Sequence, residues 1–492
     1  MMKILLVNPP WYRLFGEELA AFPLGLSHIA GVLEKEGFDV AVYNADHSKG
    51  AISDLSAGEM MEHHEKYMKI LKDLSYPIWD DVREQIKKQK PDLVGVNVWT
   101  PKLGSALNVA KICKEINPEI KVVFGGVHPT IMPDETLANE NVDFLVRQEG
   151  EYTMLELAQK LQKNEPVDDV LGISWKKNGS VINNPNRPLI DNLDAIPFPA
   201  RHLLVDKETY HPNAFGKIFA SRGCPYQCTY CGSNKIWTRK VRYRTPKNVV
   251  DEIEYVKKEY GSTHFVFEDD LLTINKVFLM EICDELIRRK VNIEWSCETR
   301  ANLIFDELVK KMKASGCTGI VIGIESGSPK VLKDIKKGIV PQQVMDAAKI
   351  IKDNGLIYSA FFMIGFPTET KEDIQMTVDL MRKTQPFNAV LSVLTPYPDS
   401  EAYFQCKELG LIPENIDWSQ FYHQSPDNFF MKNMTKQEFD EIKNWAMKVF
   451  DDHNRTQKRS YLLKHPIYTA RRIIKNKYYT PKNMTRLIKM VR

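Results

Sequence analysis

Ser221-Arg222-Gly223-Cys224-Pro225-Tyr226-Gln227-Cys228-Thr229-Tyr230-Cys231 places three thiols in one short loop, with the spacing Cys-x3-Cys-x2-Cys. An apolar stretch, Lys217-Ile218-Phe219-Ala220, precedes it and reads as a strand. Eight cysteines in 492 residues are too few for a disulfide framework, and the clustering of these three points to metal in a reducing compartment. Thiolates are the usual ligands of iron-sulfur clusters, and three of them can hold three irons of a cubane and leave the fourth open to a substrate. A structural zinc site is the competing reading. Zinc needs four closed ligands, however, and no fourth Cys or His follows at zinc-finger spacing; His202 and His211 precede the loop. Cys113, Cys283, Cys317 and Cys406 read as small buried hydrophobes.

Outward from the loop, a βα series runs from about 216 to 410. Strands are predicted near Lys217 to Ala220, His264 to Phe267, Asn292 to Ser296, Gly319 to Ile324, Ile357 to Ile364 and Ala389 to Leu394. Six such units fit a partial (βα)6 TIM-type barrel, whose chemistry lies at the C-terminal ends of its strands. Polar turns stand at those ends: Phe267-Glu268-Asp269-Asp270, Cys297-Glu298-Thr299-Arg300, Gly323-Ile324-Glu325-Ser326-Gly327-Ser328 and Ile364-Gly365-Phe366-Pro367-Thr368-Glu369-Thr370. Asp269 and Asp270 have a simpler reading as helix-cap carboxylates. Cys297 falls near the expected barrel mouth.

The first 165 residues alternate β-branched apolar runs with amphipathic stretches, the signature of an α/β parallel sheet. Strands at Lys3 to Val7, Asp39 to Tyr43, Leu93 to Val98, Lys121 to Phe124 and Phe144 to Val146 suit a flavodoxin-like (Rossmann-like) doubly wound domain. Such a domain binds ligands in loops at the carboxyl ends of its strands. Here those loops read Asn8-Pro9-Pro10-Trp11, Trp99-Thr100-Pro101, Gly125-Gly126-Val127-His128-Pro129-Thr130 and Gln148-Glu149-Gly150-Glu151, with glycines that allow a flat ligand close approach. Residues 166–215 are rich in Asn, Pro, Asp and Gly and read as a linker containing a hairpin; 411–492 read as a mostly helical C-terminal region. Hydrophobic residues at 43% and charged residues at 27% match a soluble, cytoplasmic globular protein of more than one domain. No apolar run approaches a membrane span, and the N-terminus reads as a strand, not a signal peptide.

The cysteine loop, with Tyr230 before its third thiol, resembles the radical S-adenosylmethionine (SAM) superfamily, and the barrel turns extend the resemblance. It implies that Cys224, Cys228 and Cys231 hold a [4Fe-4S] cluster, that the open iron chelates SAM, and that one electron from a donor such as flavodoxin or ferredoxin releases methionine and a 5′-deoxyadenosyl radical. It further implies that Tyr230, Asp269, Arg300, Glu325 and Ser326 contact SAM. A doubly wound domain before such a barrel resembles the cobalamin-binding, class B radical SAM methyltransferases. That resemblance places Pro9, Gly125, Gly126, His128, Thr130, Glu149 and Gly150 around a corrin ring. The Asp-x-His-x-x-Gly motif that puts a histidine on cobalt is missing, since Asp46 and His47 are adjacent; relatives in this group commonly lack that ligand, and for His128 a capping or packing role stands beside a corrin contact. The implied activity is methylation of an unactivated carbon in a small-molecule or lipid substrate. Cyclisation, oxidation or carbon-carbon coupling, as in the related anaerobic magnesium-protoporphyrin ester cyclase group, is the alternative, and a cobalamin-dependent sensor with a degenerate barrel is a third. The methylthiotransferases require additional N-terminal cysteines, and the first domain has only Cys113.

After Asp452 the chain has no acidic residue, while Arg455, Lys458, Arg459, Lys464, Arg471, Arg472, Lys475, Lys477, Lys482, Arg486, Lys489 and Arg492 are basic and interleaved with Leu, Ile and Tyr. Such a tail suits peripheral contact with an anionic membrane face or a helical tail docked on the barrel, and no nucleic-acid partner is expected.

Overall fold

The computed structural model describes residues 2–16, 22–47 and 57–464. Its first sheet takes strands β1 (Lys3–Asn8), β2 (Asp39–Asn44), β3 (Leu93–Asn97), β4 (Lys121–Gly125) and β5 (Phe144–Val146) in the parallel order β2-β1-β3-β4-β5. Ile4 pairs with Val40 on one side and Leu93 on the other. Ile4, Leu5, Leu6 and Val7 are all buried, as a central parallel strand covered on both faces requires. Reversal of strand order between β1 and β3 leaves a crevice at their carboxyl ends.

The hairpin of β6 (Ile173–Lys177) and β7 (Ser180–Asn183) corrects the reading of 166–215 as a linker: it continues the first sheet. Here β5 pairs antiparallel with β6, Phe144 opposite Trp175. Asn178 and Gly179, with φ of 52° and 80°, make the two-residue turn that such a hairpin favours. Farther on, Arg201 is fully buried and pairs at 2.8 Å with Glu252 of the helix Pro246–Tyr260. This segment is therefore packed structure.

The second sheet is shorter at its start than the sequence suggests. Only Lys217–Ile218 (β8) joins it; the chain then turns, and Ser221–Arg222 (β9) pairs antiparallel with Arg242–Tyr243 (β10) in a separate ribbon. The remaining strands, β11 (His264–Phe267), β12 (Glu294–Thr299), β13 (Cys317–Glu325), β14 (Ile357–Ile364) and β15 (Asn388–Val393), complete a parallel sheet of order β15-β14-β13-β12-β11-β8. It is an open, partial barrel. Phe265, Phe267, Trp295, Ile322 and Phe362 form its packing, with Phe267 edge-on to Trp295 at 5.3 Å. Cys113, Cys283, Cys317 and Cys406 are buried, and Cys297, placed near the mouth by sequence, is buried with them.

The long helix Lys436–Lys464 lies along the β15 edge. Phe450 meets Phe362 edge-on at 5.3 Å, and the Asn454 amide both accepts from the Ala389 N–H and donates to the Ala389 carbonyl, each at 2.8 Å. Residues 465–492, which carry most of the basic tail, lie outside the described residues. No described helix is long and apolar enough to cross a membrane.

The turn after β14 is built on a buried acid. Glu369 accepts hydrogen bonds from the Gly365 and Phe366 N–H groups at 2.6 and 3.2 Å, while burial pushes its carboxyl up to about 8. The folded state therefore holds a proton that the unfolded state releases above about pH 4.5. Stability should fall as pH rises from there to about 8, by up to about 1.4 kcal/mol per pH unit from this group. Glu369→Gln keeps an acceptor for both amides and removes that slope. Chemical denaturation should show the two proteins diverging across this window and running parallel above it; identical slopes would refute the assignment. Trp295→Ala should cost about 3–5 kcal/mol in the same assay.

Candidate functional site

The cysteine loop leaves β8 and is held at both ends by adjacent acids from the turn after β11. Asp269 accepts from the Ala220 and Ser221 N–H groups at 3.0 and 2.5 Å and from the Ser221 hydroxyl. Burial raises its carboxyl to about 6 against those bonds. Asp270 accepts from the Ser233 hydroxyl at 2.8 Å, at the far end of the loop. Gly223 between them has φ of 101°, and a Cβ there would lie 2.4 Å from the Lys240 carbonyl oxygen, so the turn admits no side chain.

Cys224, Cys228 and Cys231 are free thiols lining one cavity of about 280 Å³. Burial pushes Cys231 up to about 11 and raises Cys224. Among the described residues, no three His, Cys, Asp or Glu side chains are arranged to hold a single metal ion. A donor set of three thiols around one shared space instead fits a polynuclear iron-sulfur cluster with an open iron. Arg300 leans on this set: one guanidinium nitrogen donates to the Cys228 sulfur at 3.4 Å, the plane sits 3.6 Å over the Tyr226 ring, and the other terminal nitrogen is buried without a partner.

The remaining residues expected at SAM divide. Tyr230 stands beside the thiols, its hydroxyl accepting from Lys337 at 3.1 Å; burial and the Glu325 carboxylate raise that phenol well above its ordinary value. Glu325 is engaged by the same Lys337 at 2.7 Å. The backbone of Glu325 has φ of 72°, at a register shift between β13 and β14. Ser326 is fully buried, bonded to the Thr377 hydroxyl and the Ser328 N–H. Its hydroxyl is bonded within the fold, as Asp269 is to the loop backbone, so both have supporting partners at the site.

A second cavity, of about 490 Å³, opens at the carboxyl ends of β1, β3, β4 and β5. Gly95, Asn97, Gly125, Gly126 and Gly150 line it from the first domain; Lys217, Phe219, Arg222 and Trp237 close it from the barrel side. Gly25, at the head of the helix Leu24–Lys35, has nothing within 4 Å of a Cβ position, which leaves a flat, accessible wall. Backbone-rich and apolar, with polar groups between, this lining fits a large planar ligand such as a corrin. Gly125, Gly126, Glu149 and Gly150 are among the lining residues as the sequence suggests, but Pro9, His128 and Thr130 are not. His128 is fully buried, 3.3 Å from the Thr100 hydroxyl and edge-on to Trp418, and burial lowers it to about 4. Thr130 donates to the Gly126 carbonyl and accepts from the Gln148 N–H, which fixes the turn.

Sequence reasoning missed Lys102, Lys337 and Arg222. Lys102 is buried in the wall of the larger cavity, donating to Asn8 at 3.0 Å with Asp46 at 3.5 Å. It follows the quoted Trp99-Thr100-Pro101 turn directly and was legible there; Lys337 carries no local signal. Arg222 stands inside the cysteine motif, where the thiols and Tyr230 carry the local signal. Its guanidinium donates to Glu149 at 2.7 Å and Glu151 at 2.5 Å, and Arg242 reaches Glu149 at 2.8 Å.

A B12 binding domain family model matches residues 18–158, and the radical SAM superfamily model matches residues 218–381. An uncharacterized methyltransferase of Pyrococcus horikoshii is 35% identical over 407 residues, covering 82% of this chain and 83% of that protein. The anaerobic magnesium-protoporphyrin IX monomethyl ester cyclase of Rubrivivax gelatinosus is 30% identical over 438 residues, covering 86% and 73%. The fold resembles the radical SAM methyltransferase TsrM of Kitasatospora setae, solved with cobalamin and a [4Fe-4S] cluster, at a TM-score of 0.65 and 17% identity over 83% of this chain and 75% of that one. A radical SAM domain implies a [4Fe-4S] cluster and SAM, and a B12 domain implies cobalamin. Two domain matches in one chain, with identity carried across most of both relatives, establish that the chain belongs to the radical SAM superfamily, among the enzymes that join the barrel to a B12-binding domain.

Proposed function

We propose that this protein reductively cleaves SAM at a [4Fe-4S] cluster on Cys224, Cys228 and Cys231 and, with cobalamin in the neighbouring cavity, methylates an unactivated carbon of a small molecule. The observation that carries this reading is a shared wall. Arg222, Ile236 and Trp237 line the larger cavity, while Cys224, Ser233 and Lys235, from the same loop and the same short helix, line the thiol cavity. Two reactive groups act on one carbon only when held within reach of it, and adjoining cavities supply that proximity.

Bound at these positions, the cluster with SAM supplies one-electron chemistry at carbon and the corrinoid supplies a methyl group. The chain's own residues bind and orient. Asp269 and Asp270 fix the ends of the cysteine loop. Arg300 sets positive charge against Cys228, and its unpartnered nitrogen suits a carboxylate such as that of SAM. Lys337 neutralises Glu325 and pins Tyr230 beside the third thiol. Ring closure by the same radical chemistry is a second reading, favoured by the identity to the Rubrivivax cyclase. A product heavier by one methylene unit would select methylation, and loss of hydrogen without added carbon would select closure.

Anaerobic purification with cobalamin supplied, followed by cluster reconstitution, should yield near-stoichiometric corrinoid beside one cluster, measured as iron, sulfide and cobalt with the visible spectrum. A cluster without corrinoid would sink the methylation step and leave SAM cleavage standing. Cys228→Ala should abolish formation of 5′-deoxyadenosine. Arg300→Met should keep its iron while binding SAM roughly ten- to hundredfold more weakly in equilibrium dialysis, the worth of a charged hydrogen bond of about 1.5–3 kcal/mol; unchanged affinity would refute a carboxylate contact.

A further inference from the structure

The cysteine loop and the first domain are joined by a buried ion network. Arg222, two residues before Cys224, donates one nitrogen to each of Glu149 and Glu151, which flank Gly150 of the larger cavity. Arg242, on the strand paired with that of Arg222, donates to the second oxygen of Glu149, which also accepts from the Ile190 N–H at 2.7 Å. All four side chains are buried, at 2–6% exposure, and two cations face two anions. The Arg222 guanidinium also lies 5.2 Å from the centre of the Trp237 ring in the cavity wall.

Charges held this far from water cost free energy that their attraction offsets only with good geometry, so such a network is poor evidence for stability as such and better evidence for a fixed registry. A planar fork spanning two carboxylates specifies both direction and distance, which a lysine cannot do. The two carboxylates belong to the domain matched as B12-binding and the fork to the loop that carries the thiols. We propose that Arg222 is a positioning residue: through Glu149 and Glu151 it locks the cysteine loop to the first domain, so that filling the larger cavity is felt at the cluster. The proposal rests on the reading above for cobalamin as the ligand of that cavity.

The test uses the full chain with its cluster reconstituted and follows the rate of iron loss to a chelator, with and without hydroxocobalamin, in wild type, Glu149→Gln, Arg222→Gln and Arg222→Lys. Hydroxocobalamin should slow iron loss from wild type several-fold. Glu149→Gln lies in the other domain and nearly preserves side-chain shape. It should lose iron roughly tenfold faster, because removing one partner strands a buried charge, and hydroxocobalamin should no longer protect it. Arg222→Gln should behave likewise, and Arg222→Lys should recover part of the loss, which a merely disrupted core would not show. Wild-type rates of iron loss in Glu149→Gln, or undiminished protection in that variant, would overturn the proposal. If hydroxocobalamin fails to bind wild type at all, as judged by gel filtration and its visible spectrum, the cobalamin reading falls, while the difference in iron loss between wild type and Glu149→Gln still decides the role of Arg222.

Discussion

The site depends on a buried carboxylate, Asp269, that holds the backbone from which the thiol loop departs. Strand β8 ends after two residues, and the chain leaves the sheet for the ribbon of β9 and β10, where the Ala220 and Ser221 N–H groups turn to a side-chain acceptor. A buried N–H without a partner costs free energy comparable to a lost hydrogen bond. Asp269 satisfies both, and in doing so fixes the direction in which the chain departs toward Cys224. Together with the pairing of β9 to β10 and the Arg222 ion pairs, it anchors the cavity wall that the thiols share with the first domain.

The same economy recurs around the barrel rim. Parallel strands deliver their last peptide groups to one end of the sheet, where some find no neighbour. Glu369 serves the turn after β14 as Asp269 serves the loop after β8. Ser326 and Ser328 tie the turn after β13 to the helix Lys371–Thr384 through Thr377 and Asp373. Polar residues at strand ends thus divide between those fully engaged in holding a turn and those, such as Arg300, with a buried nitrogen left uncommitted.

This division explains what could be read from sequence. The central strands of the first sheet were legible because parallel, doubly covered strands are continuous apolar runs; the barrel strands alternate in burial, and β14 is found over the residues expected. The three thiols were legible because no other common chemistry uses that spacing. Asp269, Glu325 and Ser326 stood out in the sequence, but their partners within the fold did not, since composition does not tell which way a carboxylate or hydroxyl points. Arg222 and Glu149 escaped as a pair because they are 73 residues apart and each has an ordinary local reason to be where it is. Likewise the hairpin at Asn178-Gly179 was visible as a turn, but its place in the first sheet follows from pairing with β5, which local sequence does not encode.

An open barrel has an exposed flank, and β15 is that flank. The Asn454 amide supplies to Ala389 one donor and one acceptor, the same pair a neighbouring peptide would offer, from a helix that cannot itself extend the sheet. His453 Nε2 donates to the Pro386 carbonyl at 2.7 Å just before that strand. The consequence is colloidal: where Ala389 already has the donor and acceptor a neighbouring strand would bring, the edge offers another copy of the protein less of a template.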